Sequence, residues 1–147
     1  MRKYFFILTL IVFTLTTFQA CKKEEVNTQE FVKNHIIGKW PLKARTETTY
    51  KDDIIISDTT FKYPPTDTST APVDTLLFTA DGKYTKKGVT VNYTIDASGE
   101  QINYDTSPPS SWKIKYLRNT SIILTQERTE KIGTANFRYY IEEQLIK

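Results

Sequence analysis

Val89-Thr90-Val91-Asn92-Tyr93-Thr94-Ile95 is apolar at every odd position and polar at every even one. A repeat of two is the repeat of a pleated strand that buries one face and wets the other. The alternation returns in Trp112-Lys113-Ile114-Lys115-Tyr116 and in Phe137-Arg138-Tyr139-Tyr140-Ile141-Glu142. Valine, isoleucine, threonine and tyrosine suit such a surface because branched and aromatic side chains pack well across neighbouring strands. All five glycines stand where the alternation stops: Gly38, Gly82, Gly88, Gly99 and Gly133. Ala80-Asp81-Gly82-Lys83 is a hairpin signal, since Asp-Gly accepts the positive φ that tight turns need. Asp96-Ala97-Ser98-Gly99 and Arg118-Asn119-Thr120 read the same way, and Pro64-Pro65 and Pro108-Pro109 mark longer loops.

Working outward, strands are predicted at 39–50, 54–63, 74–80, 83–87, 89–95, 101–105, 111–117, 121–129 and 135–146. The pieces 83–87 and 89–95 are either two strands or one strand kinked at Gly88, which would leave eight. Before them, Phe31, Val32, Ile36 and Ile37 fall at helical spacing, with Asn27 three residues ahead of Glu30 as in a capping box. This predicts a short amphipathic helix over 28–37, stopped by Gly38. One lead-in helix and many short strands without crossover helices mean an all-β fold, an antiparallel meander. Closure into a small β-barrel of about eight strands would remove its exposed edges. Pro41 cannot donate to a ladder, so the start of the first strand is expected at an edge or bulge.

The N-terminus has a different character. Thirteen of the first 20 residues are apolar, against 39% of the 147-residue chain. Met1-Arg2-Lys3, the apolar run from Tyr4 to Leu15 and the polar exit Thr16 to Ala20 have the order of a secretory signal peptide. The run is too short for a bilayer span, which needs about 20 residues. Its removal would take Arg2 and Lys3 with it and leave a net charge of +1. That balance is not a nucleic-acid binder's. Cys21 is the sole cysteine, which excludes an internal disulfide and a cysteine-based zinc site.

Phe18-Gln19-Ala20-Cys21 resembles the lipobox of bacterial lipoproteins. The resemblance implies cleavage before Cys21 and lipidation of its thiol with diacylglycerol, plus an amide-linked chain. Residues 1–20 would then be the signal peptide, 21–27 a lipidated tether and 28–147 one barrel domain. Lys22-Lys23-Glu24-Glu25 resembles the charged export signal of Bacteroidota surface lipoproteins. That implies a lipid-anchored outer-membrane protein, with surface exposure if the signal operates. Gly38-Lys39-Trp40, after a helix and opening the first strand, resembles the G-x-W start of lipocalins. The stretches Thr75 to Thr85 and Asn92 to Ile95 look like the lipocalin-like domains of small Bacteroidota lipoproteins. The resemblance implies that Trp40 plugs one barrel end and that an arginine, Arg128 or Arg138, packs across it.

An eight-stranded barrel is just wide enough to be filled by side chains or to hold one small ligand. If alternation holds throughout, the inward set includes Trp40, Leu42, Phe78, Tyr93, Tyr104, Trp112, Tyr116 and Tyr139. These are the candidate ligand-binding residues, with phenol groups able to orient a bound molecule. The leading expectation is non-catalytic binding of a small apolar or amphipathic, lipid-like molecule inside the barrel. The alternative is a solid core whose loops bind a glycan or an envelope protein, with Tyr50, Tyr63 and Tyr140 as surface candidates. A cavity separates the two. Catalysis is not expected: the lone His35 offers no Ser-His-Asp or Cys-His arrangement and no metal set, and no cofactor motif is present. Asp52-Asp53 reads as a solvated turn, and Glu142 and Glu143 as residues on opposite faces of one strand.

Overall fold

The computed structural model describes residues 28–63 and 74–147. The predicted signal peptide, Cys21 with its tether, and the Pro64-Pro65 loop lie outside them. The described chain forms α1 (Gln29–Ile36) and nine strands. They are β1 (Gly38–Lys51), β2 (Ile54–Lys62), β3 (Thr75–Phe78), β4 (Lys83–Lys86) and β5 (Val89–Ile95), then β6 (Gln101–Tyr104), β7 (Ser110–Arg118), β8 (Ser121–Ile132) and β9 (Ala135–Ile146). All neighbours are antiparallel, and β1 pairs back onto β9. The result is a closed eight-stranded antiparallel barrel with one short helix.

The barrel has eight strands for a reason other than a kink at Gly88. Lys86 pairs with Val89 across Lys87-Gly88, both at positive φ (52° and 78°). This is a two-residue hairpin of the type whose twist matches its strands. The extra strand is β2. One edge of β1 is divided: Gly38 to Pro41 pair with β3, and Ala44 to Lys51 pair with β2. β2 therefore stands outside the closed ring. Asp52-Asp53, at φ 48° and 64°, makes the β1–β2 turn, and Asp52 Oδ1 accepts from the Asn136 amide at 2.9 Å.

The hairpins expected at Asp81-Gly82, Asp96 to Gly99 and Asn119-Thr120 are all present. The bulge expected near Pro41 comes between Leu42 and Ala44, where the pairing with β9 shifts by one residue. The helix cap is Thr28, not Asn27: its Oγ1 accepts from the Phe31 amide at 3.2 Å. That cap satisfies one of the otherwise orphaned amides of the first turn of α1.

α1 closes one end of the barrel, here the floor. It buries Val32 and Ile36 and is strapped to β5 by Gln29 Nε2, which donates to the Ile95 carbonyl at 2.8 Å. Trp40 is fully buried, and its Nε1 donates to the Ile36 carbonyl at 2.6 Å. An otherwise orphaned helix-end acceptor is thereby satisfied. The cation over Trp40 is neither Arg128 nor Arg138. It is Lys147, whose Nζ lies 4.1 Å from the ring centroid and donates to the Ile37 carbonyl at 3.1 Å. Arg128 covers Tyr139 and Arg138 covers Tyr50. Gly38, at φ 127°, sits against this cap, where an added Cβ would lie 3.2 Å from Lys147. Among the described residues no helix is long and apolar enough to cross a membrane.

Candidate functional site

The barrel interior has two halves. The floor half is apolar and packed: Trp40, Leu42, Phe78, Ile102 and Leu145 are all 2% exposed or less. An aromatic column rises from it. Phe78 meets Tyr93 edge-on at 5.2 Å and Tyr84 at 5.1 Å, and Tyr84 meets Tyr104 at 4.5 Å. Ring pairs at these separations fill space and attract through their quadrupoles.

Above the column the interior turns polar. Arg45, Glu143 and Leu124 share one row of the inward face. Glu143 is 1% exposed, and one of its oxygens, Oε1, accepts from Arg45 Nη1 at 3.0 Å and from Lys86 Nζ at 2.7 Å. Arg45 Nε also reaches Glu47 at 2.6 Å. Two cations and two carboxylates thus balance at the point where apolar packing ends. Enclosure pushes the Tyr104 phenol well above its ordinary range, helped by Tyr84 and Glu143. Tyr84 is pushed up by burial first, then by Glu143 and Asp74. Both phenols stay protonated donors at neutral pH. Glu142 points to the other face, as expected. Burial pushes its carboxyl up, but hydrogen bonds from Lys115, Gln144 and Tyr140 outweigh this and hold it below its ordinary range.

The sheet does not stop at this row. β7 ends at Ser110, while β8 and β9 run on together to the turn after Ile132, with β1 and β2 beside them. The inward face continues onto this four-stranded flange as Gln126 and Ile141, then Arg128 and Tyr139, then Glu130 and Phe137. A concavity of about 620 Å3 opens here, between Tyr139, Ile141, Gln126, Glu127 and Arg128 on one side and Pro108 to Ser111 on the other. Gln126 Nε2 bridges to Ser110 Oγ at 3.0 Å. A second concavity, about 550 Å3, lies beside α1 and is lined by Gln29, Lys33, Ile37, Tyr93 and Ile95 among others. A third, about 320 Å3, borders the Asp52-Asp53 turn and Arg138. Trp40, Leu42, Phe78 and Ile102 line none of the three.

The predicted ligand residues therefore separate. Trp40, Leu42, Phe78 and Tyr104 are core. Tyr93 and Trp112 are partly buried and pack on that core. Tyr116 does not point inward: the β7–β8 pairing shifts between Ile114 and Tyr116, leaving Tyr116 37% exposed and turning Leu117 into the barrel. Tyr139 alone of the eight lines the mouth concavity. Of the surface tyrosines, Tyr63 packs on the core, Tyr50 lies under Arg138 and Tyr140 donates to Glu142. Tyr84, Arg45, Lys86 and Gln126 were missed. Alternation around Tyr84-Thr85-Lys86 was the available signal, but a lysine on an inward phase does not announce its carboxylate partner. His35 stacks on Phe31 at 3.9 Å, and no group of three or more potential metal ligands occurs among the described residues. No family model matches the chain, and no curated protein or solved structure matches it either.

Proposed function

We propose that the protein is a lipid-anchored envelope protein that binds a small amphipathic molecule without catalysis, at the mouth of its barrel rather than inside it. The supporting observation is the division of the interior. The floor is filled by its own side chains, whereas the inward face continues past the rim into a 620 Å3 concavity with Tyr139 and Ile141 on its wall. Ligand sites are concave, largely apolar and provided with a few fixed polar groups, and this concavity has that make-up. Ligand surface would be removed from water against Tyr139, Ile141 and the Pro108-Pro109 loop, while Gln126 and Ser110 orient polar edges. The lipocalin-like start at Gly38-Lys39-Trp40 adds support. Cys21 supplies the anchor in this reading, in the outer membrane, with Lys22 to Glu25 directing the domain to the cell surface.

Native mass spectrometry on protein purified from its own host tests the binding. A co-purifying small mass is expected, and Ile141→Trp, which fills the mouth, is expected to abolish it. No adduct on the wild type, or an adduct indifferent to Ile141→Trp, refutes mouth binding. The anchor has its own test: Cys21→Ser releases the protein from membranes, and unchanged retention overturns lipidation. A second reading, docking of an envelope protein, is favoured by β2. That strand has a free edge among the described residues, and Ile54, Ile55 and Ile56 are more than half exposed.

A further inference from the structure

We infer that the partner of the open β2 edge is a second copy of this chain, paired antiparallel about Thr60. This names the partner in the second reading, of β2 as a docking edge, and rests on that reading. It is independent of binding at the mouth.

All nine residues of β2 are exposed, so its ladder with β1 holds it in place rather than core burial. One hydrogen bond gives the direction of its backbone groups. The Tyr63 amide donates to the Lys43 carbonyl at 2.7 Å. Hydrogen-bonded and non-hydrogen-bonded pairs alternate along an antiparallel ladder. Tyr63, Phe61, Thr59 and Ser57 therefore turn their amides and carbonyls to β1, while Lys62, Thr60 and Asp58 turn theirs to the open edge. The Asp52 amide, which donates to the Asn136 carbonyl at 2.9 Å, gives the same alternation on the β9 side of β1. The regular register stops at Ser57, because Ile56 is an extra residue opposite the step from Thr49 to Tyr50. Such a bulge bends an edge and ends pairing there. The straight edge is thus 57–63, and its centre is Thr60.

Charge complementarity selects a second copy and its register. Pairing two copies about Thr60 sets each Asp58 opposite the other copy's Lys62. Both residues are exposed, and neither forms an ion pair among the described residues; Asp58 accepts only from the Thr48 hydroxyl, at 2.9 Å. Opposite charges facing across a strand pair stabilise it, and like charges destabilise it. Pairing about Asp58 would set the two Asp58 carboxylates against each other, and pairing about Thr59 would leave each facing a threonine. The register about Thr60 gives two ion pairs and lets each outward-turned residue meet another. Those three facing pairs exchange two backbone bonds each, about six in all. On the inward face Phe61 stands opposite the other copy's Thr59, and the two Phe61 rings become diagonal neighbours, about 7–8 Å apart and within each other's reach. In the single chain Phe61 is 44% exposed. The flange β8-β9-β1-β2 of each copy then continues into one antiparallel sheet across the axis. An interface of one strand pair is small beside the roughly 1,200 Å2 of a stable complex, so association at micromolar or higher concentration is expected.

The experiment is sedimentation equilibrium of the full chain in density-matched detergent, from about 1 μM to about 1 mM. A monomer–dimer equilibrium is expected. Asp58→Lys and Lys62→Asp each turn two attractions into two repulsions and are expected to weaken the dimer about tenfold or more. The double variant Asp58→Lys/Lys62→Asp exchanges the charges and is expected to restore it. If Asp58→Lys, which also loses the Thr48 bond, fails to fold, Lys62→Asp carries the same expectation alone. A monomer at every concentration, or single variants that dimerise like the wild type, or a double variant no better than either, would each overturn the proposal. A photo-crosslinking residue in place of Thr60 in host cells separates this inference from the reading beneath it. An adduct of twice the chain's mass is expected. A purified monomer with an adduct to a different protein would sink the second copy and leave β2 as a docking edge. A monomer with no adduct would sink both, and mouth binding would stand on its own test.

Discussion

Glu143 is the residue on which the interior turns. A carboxylate that is 1% exposed would be costly alone, and its cost is offset by Arg45 and Lys86. Glu143→Gln leaves both cations facing a neutral amide. Removing one partner of a fully enclosed pair costs about 3–5 kcal/mol; because Arg45 and Lys86 keep 29% and 22% exposure, about 2 kcal/mol is expected. The urea midpoint at neutral pH measures it, and a midpoint unchanged from the wild type would show that the cluster contributes nothing. Strand phase alone places Glu143 opposite Glu142, and the structure bears that out. What the local sequence could not contain is the meeting of Arg45, Lys86 and Glu143, which stand on β1, β4 and β9. Their encounter is a property of closure.

At the scale of elements, the bulge in β7 decides which side chains are core. One extra residue at Lys115 reverses every later side chain, because a strand has a repeat of two. Simple alternation through Trp112-Lys113-Ile114-Lys115-Tyr116 puts Tyr116 inside, and the bulge replaces it with Leu117. Leu117→Ala is therefore expected to cost about 2–5 kcal/mol, and Tyr116→Ala less than about 1 kcal/mol. Thermal or urea unfolding of the two variants checks the order, and equal losses would place the bulge elsewhere. No side chain in the stretch marks the bulge, since Lys115 suits either phase. It is set by the need to keep β7 in register with β8 around a curved, closing sheet. The turns were legible by contrast, because Asp81-Gly82 and Lys87-Gly88 carry their φ preferences locally. Lys87-Gly88 was ambiguous only because a kink and a hairpin use the same glycine.

At the scale of the whole molecule, the enclosed phenols report on barrel integrity. Tyr84 and Tyr104 are held above their ordinary range chiefly by burial. The unfolded chain would release those protons near pH 10, while the folded barrel keeps them. Stability is therefore complete below about pH 10 and falls as the pH rises towards the folded-state values. Phenolate absorbance followed together with near-ultraviolet circular dichroism should show these tyrosines ionising only as tertiary structure is lost. Tyr84→Phe should flatten the alkaline loss of stability. A smooth titration with the barrel intact would mean that water reaches the column.

Strand identity, turn positions and the lead-in helix all rest on local chemistry, and each could be read along the chain, whereas the expectation that Trp40 plugs one barrel end came from the resemblance of Gly38-Lys39-Trp40 to a lipocalin start. The period of two, the φ demands of Asp-Gly and the 3.6-residue spacing act between near neighbours. Other features depend on residues far apart in sequence. Lys147 meets Trp40 because the last strand ends beside the helix that precedes the first. β2 falls outside the ring because β3 already holds the other part of the same edge of β1. The mouth concavity lies beyond the rim because β8 and β9 outrun β7, carrying an inward-phased strip past the point where there is any barrel to fill. Alternation says which side of a strand a residue takes; closure decides whether that side is an interior or an open wall.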